Sequence, residues 1–326
     1  MNQIRISFII PMYNMEELII PCIRSILQSP LPKEEYEIIV WDDGSTDYSA
    51  EVVKSIQNEG TVNLIRHVNC GVSFVRNAAL QKAHGEYIWF VDSDDLVASA
   101  NVLPLLETAE KDQLDMLLFN WKSLEGDTLK DGIHDVKDSL KVVRGRDLYI
   151  KQVLNMAPWC YLYRRSFLSE HNLTFPEDYK TCEDVQFNQK ALFFAQKVRT
   201  SSLIGYHYRQ RAISATQGQG NRVVRDHIRR IKDECEFFNN YSDRDFLTMV
   251  LYRNVREINV WLAWSQREDS LFDDIKSVLT QALDSFKPKI GRKTLYLSLM
   301  TKFPERVYSI QLIANRLKRK IRSYIK

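Results

Sequence analysis

The chain has 326 residues, 44% of them hydrophobic and 27% charged, and a net charge of only +3. That balance suits a globular protein with one large domain and an appendage, and it argues against a nucleic-acid partner for the molecule as a whole. The five cysteines form no Cys-x-x-Cys pair, and their odd number argues against a disulfide framework. No apolar run reaches the ~20 residues that a helix needs to cross a bilayer, and the first residues, Met-Asn-Gln-Ile-Arg-Ile-Ser, carry no signal-peptide pattern. A reducing cytoplasm is the expected location.

The elements alternate from the start. Residues 4–10 are nearly all apolar and read as a strand that Pro11 ends, and residues 16–27 have helical spacing through Leu18, Cys22 and Ile26. Residues 37–41 read as a second buried strand, followed by Asp42-Asp43-Gly44-Ser45-Thr46-Asp47, where Asp47 is placed to cap a helix over 48–57. A third strand over 63–67 turns through Asn69-Cys70-Gly71 into a helix over 73–83, which His84-Gly85 ends. Residues 87–91, Tyr-Ile-Trp-Phe-Val, form the fourth strand, and three acids follow at once: Asp92, Asp94 and Asp95. A helix is then expected to about residue 111.

Strands alternating with helices over short connections predict an α/β fold, a mostly parallel sheet with helices on both faces. Ligands of such sheets bind past the carboxyl ends of the strands. Pro11, Tyr13, Asp43, Asp92 and Asp94 should therefore meet on one rim. Acids that converge from separate strands repel unless a cation lies among them, and carboxylate oxygens suit Mg²⁺ or Mn²⁺. An acidic turn that only caps the next helix is the plainer reading of residues 92–95. There is no Gly-x-x-x-x-Gly-Lys phosphate loop, and no Gly-x-Gly-x-x-Gly follows the first strand. Leu96 stands where a calcium loop wants a third oxygen ligand.

Four blocks carry a family resemblance: Ile9-Ile-Pro-Met-Tyr-Asn14, Ile39-Val-Trp-Asp-Asp-Gly-Ser-Thr-Asp47, Asn69-Cys-Gly-Val-Ser-Phe-Val-Arg-Asn77 and Gly85-Glu-Tyr-Ile-Trp-Phe-Val-Asp-Ser-Asp-Asp95. In this order they resemble family 2 glycosyltransferases, which are inverting enzymes with the Rossmann-like GT-A fold. The resemblance implies a nucleotide-diphospho-sugar donor, UDP-sugar above all. It sets Asp43 against the base, and Pro11 and Tyr13 against base and ribose. Asp92 is implied towards ribose and metal, Asp94 directly on the metal, and Ser93 between them on the donor side. Arg76 matches an arginine near the nucleotide; an ion pair holding Asp92 or Asp94 is the alternative.

Past a strand over 115–121, residues 123–142 are polar and read as a hairpin or loop with little structure of their own, and residues 145–154 as a helix. Trp159-Cys-Tyr-Leu-Tyr-Arg-Arg-Ser-Phe-Leu168 and Thr181-Cys-Glu-Asp-Val-Gln-Phe187 resemble the family's second half, a tryptophan-led strand and then Glu-Asp at a helix start. Asp184 matches the general base. An attacking hydroxyl must lose its proton, and a carboxylate kept ionised by a helix N-terminus can take it. The plain alternative is that Glu183 and Asp184 only favour the helix dipole. Glu183 would touch the acceptor or orient Asp184, and Trp159 is either an apolar floor for an acceptor sugar or core.

Gly205-Tyr-His-Tyr-Arg209 and Ser214 resemble the block that closes the catalytic domain. His207 there is either a third metal ligand or a hydrogen-bonded strand histidine. Arg209 and Arg211 meet the diphosphate or are solvated. The catalytic domain is expected to span residues 1–217, and residues 218–326 to form a helical region with helices over 221–240, 244–265 and 270–286 and from about 304. The last has an apolar stripe beginning at Phe303 and a basic remainder that includes Arg306, Arg316, Lys318, Arg319, Lys320 and Arg322. Such a helix can lie on the inner face of the cytoplasmic membrane, as an enzyme with a lipid-linked acceptor would use, or pack on the body. The expected activity is transfer of a sugar to a glycan or lipid-linked acceptor in bacterial surface polysaccharide synthesis. A non-catalytic nucleotide-sugar-binding module and a nucleotidyltransferase are the other readings.

Overall fold

The structure, a computed structural model, describes residues 3–57, 61–126, 128–131, 136–139, 141–211, 220–262, 268–287, 291–305 and 307–309. The chain divides into two compact units, Met1–Ala212 and Ile213–Lys326. Among the described residues the first unit holds a nine-stranded sheet in the order β3-β2-β1-β4-β8-β6-β9-β5, with β7 paired to β6.

The four expected strands are β1 (Ile6–Met12), β2 (Tyr36–Asp42), β3 (Val62–Arg66) and β4 (Tyr87–Phe90), and their pairings with one another are parallel. Helices α1 (Ile19–Leu27), α2 (Ser49–Ile56) and α3 (Val72–Lys82) make the crossovers. Burial explains the apolar runs: every residue of β2 and β4 is buried, as a strand covered on both sides must be. Phe8 packs on Trp89, and Trp89 on Phe119, at 5.6 and 4.8 Å between ring centres. At the opposite end of these strands from the acids, the Ser7 hydroxyl donates to Glu37 and accepts from the Gly85 amide. A Cβ on Gly85 would lie 2.4 Å from the Ser7 nitrogen, so only glycine fits there.

Pro11 does not end β1. Met12 accepts from Asp43 N on the β2 side and Ile9 from Val91 N on the β4 side, so by alternation Pro11 turns its nitrogen towards β4. Having no hydrogen to donate, it stops the ladder with β4 at Ile9↔Phe90 while pairing with β2 runs on to Met12↔Asp42.

Beyond β4 the sheet is mixed rather than mostly parallel. β5 (Leu96–Val97), β6 (Met116–Glu125), β7 (Thr128–Asp131), β8 (Tyr161–Arg164) and β9 (Val198–Arg209) join through antiparallel pairs, β6 with β9 excepted. The expected helix beyond Leu96 begins later, as α4 (Val102–Lys111), because Leu96 and Val97 pair with His207 and Tyr206 on β9. No local pattern announces a partner 110 residues on. The polar stretch after Trp121 is more ordered than expected. β6 runs through it to hairpin with β7, and the Asn120 side chain brackets the Val136 backbone, donating to its carbonyl at 2.8 Å and accepting from its amide at 2.7 Å. Trp159 lies in a 3₁₀ turn, Pro158–Cys160, ahead of β8 rather than on it. Helices α5 (Gly145–Lys151), α6 (Arg165–Glu170) and α7 (Glu183–Phe194) complete the unit.

The second unit is helical: α8 (Gly220–Asn239), α9 (Arg244–Leu262), α10 (Asp269–Phe286) and α11 (Arg292–Lys302). The sequence reading missed α11. The basic final helix expected from about 304 falls mostly on residues 306 and 310–326, which lie outside the described residues, as do Ser214 and the expected boundary at 217.

Candidate active site

The carboxyl ends of β1, β2 and β4 open on one rim. Asp43 ends the β2 side, 5% exposed, with Oδ1 accepting from the Cys70 amide at 2.7 Å and Oδ2 from the Gly71 amide at 2.9 Å. Gly71 makes that approach at φ +92°, a conformation costly for any residue with a side chain. The loops after β1 and β2 are tied together, Asn14 N donating to Ser45 Oγ and Thr46 N to Asn14 Oδ1. Pro11 is half-buried on this rim, and Tyr13 is 45% exposed beyond it.

Past β4, Asp95 N donates back to the Asp92 carbonyl, and this turn crowds three carboxylates. The Asp92 amide donates to the Tyr206 hydroxyl at 2.9 Å. Burial pushes the Asp92 carboxyl above its ordinary range; Arg76 opposes that and Asp94 adds to it. Ser93 is buried. Asp95, 1% exposed, is pushed up to about 9 by burial and by the charges of Asp92 and Asp94, against hydrogen bonds from the Arg209 amide and the Tyr206 hydroxyl. Two arginines at the end of β9 answer this charge. Arg209 Nε donates to the Asp94 carbonyl at 2.8 Å, and Arg211 pairs with Asp94 Oδ2 at 2.8 Å.

Arg76 joins the two halves of the unit. It is buried on α3, with one guanidinium nitrogen 2.9 Å from Asp92 Oδ1 and the other 3.1 Å from Glu183 Oε1, the first residue of α7. Burial works against its charge, but Asp92, Glu183 and Asp184 outweigh burial and hold its pKa above the ordinary arginine value. The Phe175 ring covers it, 5.1 Å from Cζ. Packing explains why α7 arrives here: Phe187 stacks on Phe175 at 4.0 Å and meets Phe90 edge-on, while Tyr163 donates to Asn188. Cys182 enters the helix at φ +67°, a left-handed conformation disfavoured for a residue with a Cβ. Asp184 is the second residue of α7, half-buried, and its Oδ1 accepts from the Val185 amide at 2.7 Å. Asp184 thus lies in the field of the helix N-terminus and of Arg76.

His207 stands apart from the acids. On β9 the side chains alternate; Tyr206 and Tyr208 face Trp159, Tyr206 reaches Asp92, and His207 points to the other side of the sheet, where burial and then Lys122 lower its pKa. Among the described residues no group of three or more His, Cys, Asp and Glu side chains converges to hold a metal. The expectation of His207 as a third ligand is therefore corrected. The remaining donors still fit a hard divalent ion: two carboxylates at one turn, in a site whose crowding and raised carboxyl pKa values favour a cation. Mg²⁺ is commonly held by one or two carboxylates plus substrate phosphates and water. Trp159 is 6% exposed, stacked on Tyr206 at 4.6 Å and on Tyr208 at 5.6 Å, with Trp121 edge-on. Its ring is core packing, with little face left for a sugar.

Residues 7–171 match the family model described as glycosyl transferase family 2. The chain belongs to that family. Among its relatives, the glycosyltransferase EpsJ of Bacillus subtilis is 31% identical over 73% of this chain and 70% of its own. A poly(ribitol-phosphate) beta-glucosyltransferase of Bacillus spizizenii is 35% identical over 63% of this chain, and poly(ribitol-phosphate) beta-N-acetylglucosaminyltransferase TarS of Staphylococcus aureus 28% over 63%. The chain spans only about a third of the length of those two proteins, 32% and 35%. The crystal structure of TarS 1-349 in complex with UDP-GlcNAc superposes with a TM-score of 0.76 at 21% identity, covering 93% of this chain and 89% of that one. At that identity the likeness is one of fold, and the fold is the expected GT-A. This family 2 chain is a glycosyltransferase by class.

Three features of the site escaped the sequence reading: the grip of the Cys70 and Gly71 amides on Asp43, the Tyr206 hydroxyl on Asp92, and the use of Arg211 against Asp94. The alternation Tyr206-x-Tyr208 was a legible signal that both rings share one face. The backbone contacts left no signal in residue type.

Proposed function

We propose that this chain is an inverting glycosyltransferase that moves a sugar from a nucleotide-diphospho-sugar, a UDP-sugar, to a hydroxyl of a glycan or lipid-linked acceptor in bacterial cell-wall or exopolysaccharide synthesis. The observation that carries the reading is Arg76, which pairs with Asp92 and Glu183 and so draws the N-terminus of α7, with Asp184, to the acids past β4. The names of the relatives support the substrate class, and TarS binds UDP-GlcNAc in its own structure.

In this mechanism the donor lies across the rim, its base end at Asp43, Pro11 and Tyr13 and its diphosphate at the acids. Asp94 and Asp92 would hold a divalent cation, which would offset charge on the departing diphosphate. Arg211, paired with Asp94 and 37% exposed at its side chain, lies where it would meet the phosphates. Asp184 takes the proton of the acceptor hydroxyl as that oxygen attacks the anomeric carbon from the face opposite the leaving nucleotide, which inverts the centre. Glu183 keeps Arg76, and through it the base, in place. Asp184→Asn should lower transfer by about 10²–10⁴-fold, the span of a general base, and leave donor affinity within about twofold. The check is transfer of labelled sugar together with calorimetric UDP binding; unchanged transfer would remove Asp184 from this role.

A further inference from the structure

Helix α11 shows its partners two different faces. Leu297 and Met300 are fully buried, and Tyr296 accepts from Asn259 of α9 at 2.7 Å, so one side of the helix is fixed to its own unit. On the other side Leu295 and Leu299 follow one turn apart, 62% and 41% exposed, and Phe303, the residue just past the helix, is 47% exposed. Arg292 and Lys302 are exposed at the two ends of that line. Solvent gains nothing from three large apolar side chains aligned this way, and a patch rimmed by charge marks a contact surface.

The charge says what covers it. Residues 292–326 hold ten Lys and Arg and a single acid, Glu305, a net +9 in a chain whose total is +3, so the rest of the protein is net −6. A second copy of this chain would bring the same basic stretch of sequence against itself. A nucleic acid would use the cations and leave the leucines wet. An anionic bilayer offers both halves of the match, negative headgroups for the cations and an apolar layer within reach of Leu and Phe side chains.

We propose that Leu295 and Leu299 on α11, with Phe303 just past it, dock this protein on an anionic phospholipid surface, with the net positive charge of the sequence from Arg292 on supplying the long-range attraction. The inference concerns the helical unit alone and stands whether or not Asp184 is the catalytic base. The test is co-sedimentation of the full chain with vesicles of phosphatidylcholine alone or with about a third phosphatidylglycerol. Wild type should bind the mixed vesicles, release them as salt rises, and ignore the neutral ones. The variant Leu295→Gln/Leu299→Gln/Phe303→Gln should bind at least about tenfold more weakly with its thermal unfolding unchanged, and Arg292→Gln/Lys302→Gln should weaken binding less. Equal binding by the triple variant would mean that the basic residues act alone and would overturn the proposal. So would equal binding to neutral vesicles, or light scattering that shows the triple variant has lost a dimer in place of a membrane.

Discussion

Arg76 in the sheet unit and Arg230 in the helical unit are both buried guanidiniums, and their surroundings differ in an instructive way. Arg76 reaches acids on two elements that come from distant parts of the chain, beside a half-buried carboxylate, at the open end of a sheet. Arg230, 0% exposed, bonds within a helix pair: to His227 on its own α8, to Asn254 and Glu257 on α9, and to Glu234 one turn on. Asn254 in turn bonds Glu234. A buried charge is therefore no marker of a site by itself. What distinguishes Arg76 is that its acids converge on a rim where strands end and a substrate can enter.

The comparison can be broken by removing each arginine in turn. Arg76→Met leaves Asp92 and Glu183 without their cation. It should cost about 3 kcal/mol in urea unfolding and also lower transfer by the folded fraction by ~10-fold or more. Arg230→Met takes the guanidinium from the fully buried Glu234, and should cost about 3 kcal/mol as well, but kcat and KM of the folded fraction should stay at wild-type values. If Arg230→Met slows transfer as much as Arg76→Met, the distinction fails.

A pH series sharpens it. His227 is 2% exposed, and burial, with Arg230 as the second cause, holds its pKa well below the ordinary histidine value. The unfolded chain takes up a proton near pH 6.5 that the folded unit does not. Stability should then be whole above about 6.5 and fall by about 1.4 kcal/mol per pH unit below it. His227→Gln should flatten that slope; a slope unchanged in the variant would take it away from His227. The smallest effect is expected at Asp47. Its Oδ1 accepts from the Ser49 amide at 3.0 Å at the start of α2. Asp47→Ala should cost about 1 kcal/mol, read as a lower urea midpoint with m unchanged.

The parts legible in the sequence were those with local causes. Apolar runs of four to seven residues gave β1 to β4 to within two residues, and the acids after β4 gave the rim. Trp159 and His207 were ambiguous in the sequence, since a tryptophan beside a strand and a histidine on one carry the same signal in a core as in a site. The stacking of Trp159 on Tyr206 and the alternation of β9 decided both. The short strand of Leu96 and Val97 was missed because its partners lie on β9. α11 was overlooked because its exposed leucines weaken the contrast between its two faces.

Taken alone, the amino-acid sequence determined the succession of strands and helices through Phe90, the family of the chain, and which carboxylates stand at strand ends. Those follow from side-chain period, burial preference and residue order, and all act over a few residues. Only the tertiary structure decided that α7 returns to Asp92 through Arg76, that Asp43 is gripped by two backbone amides, and that His207 faces away. Asp43 meets amides 27 and 28 positions on and Arg76 meets Glu183 107 positions on, and there packing such as that of Phe175 on Phe187, with the register of β9 for His207, fixes the geometry rather than local pattern.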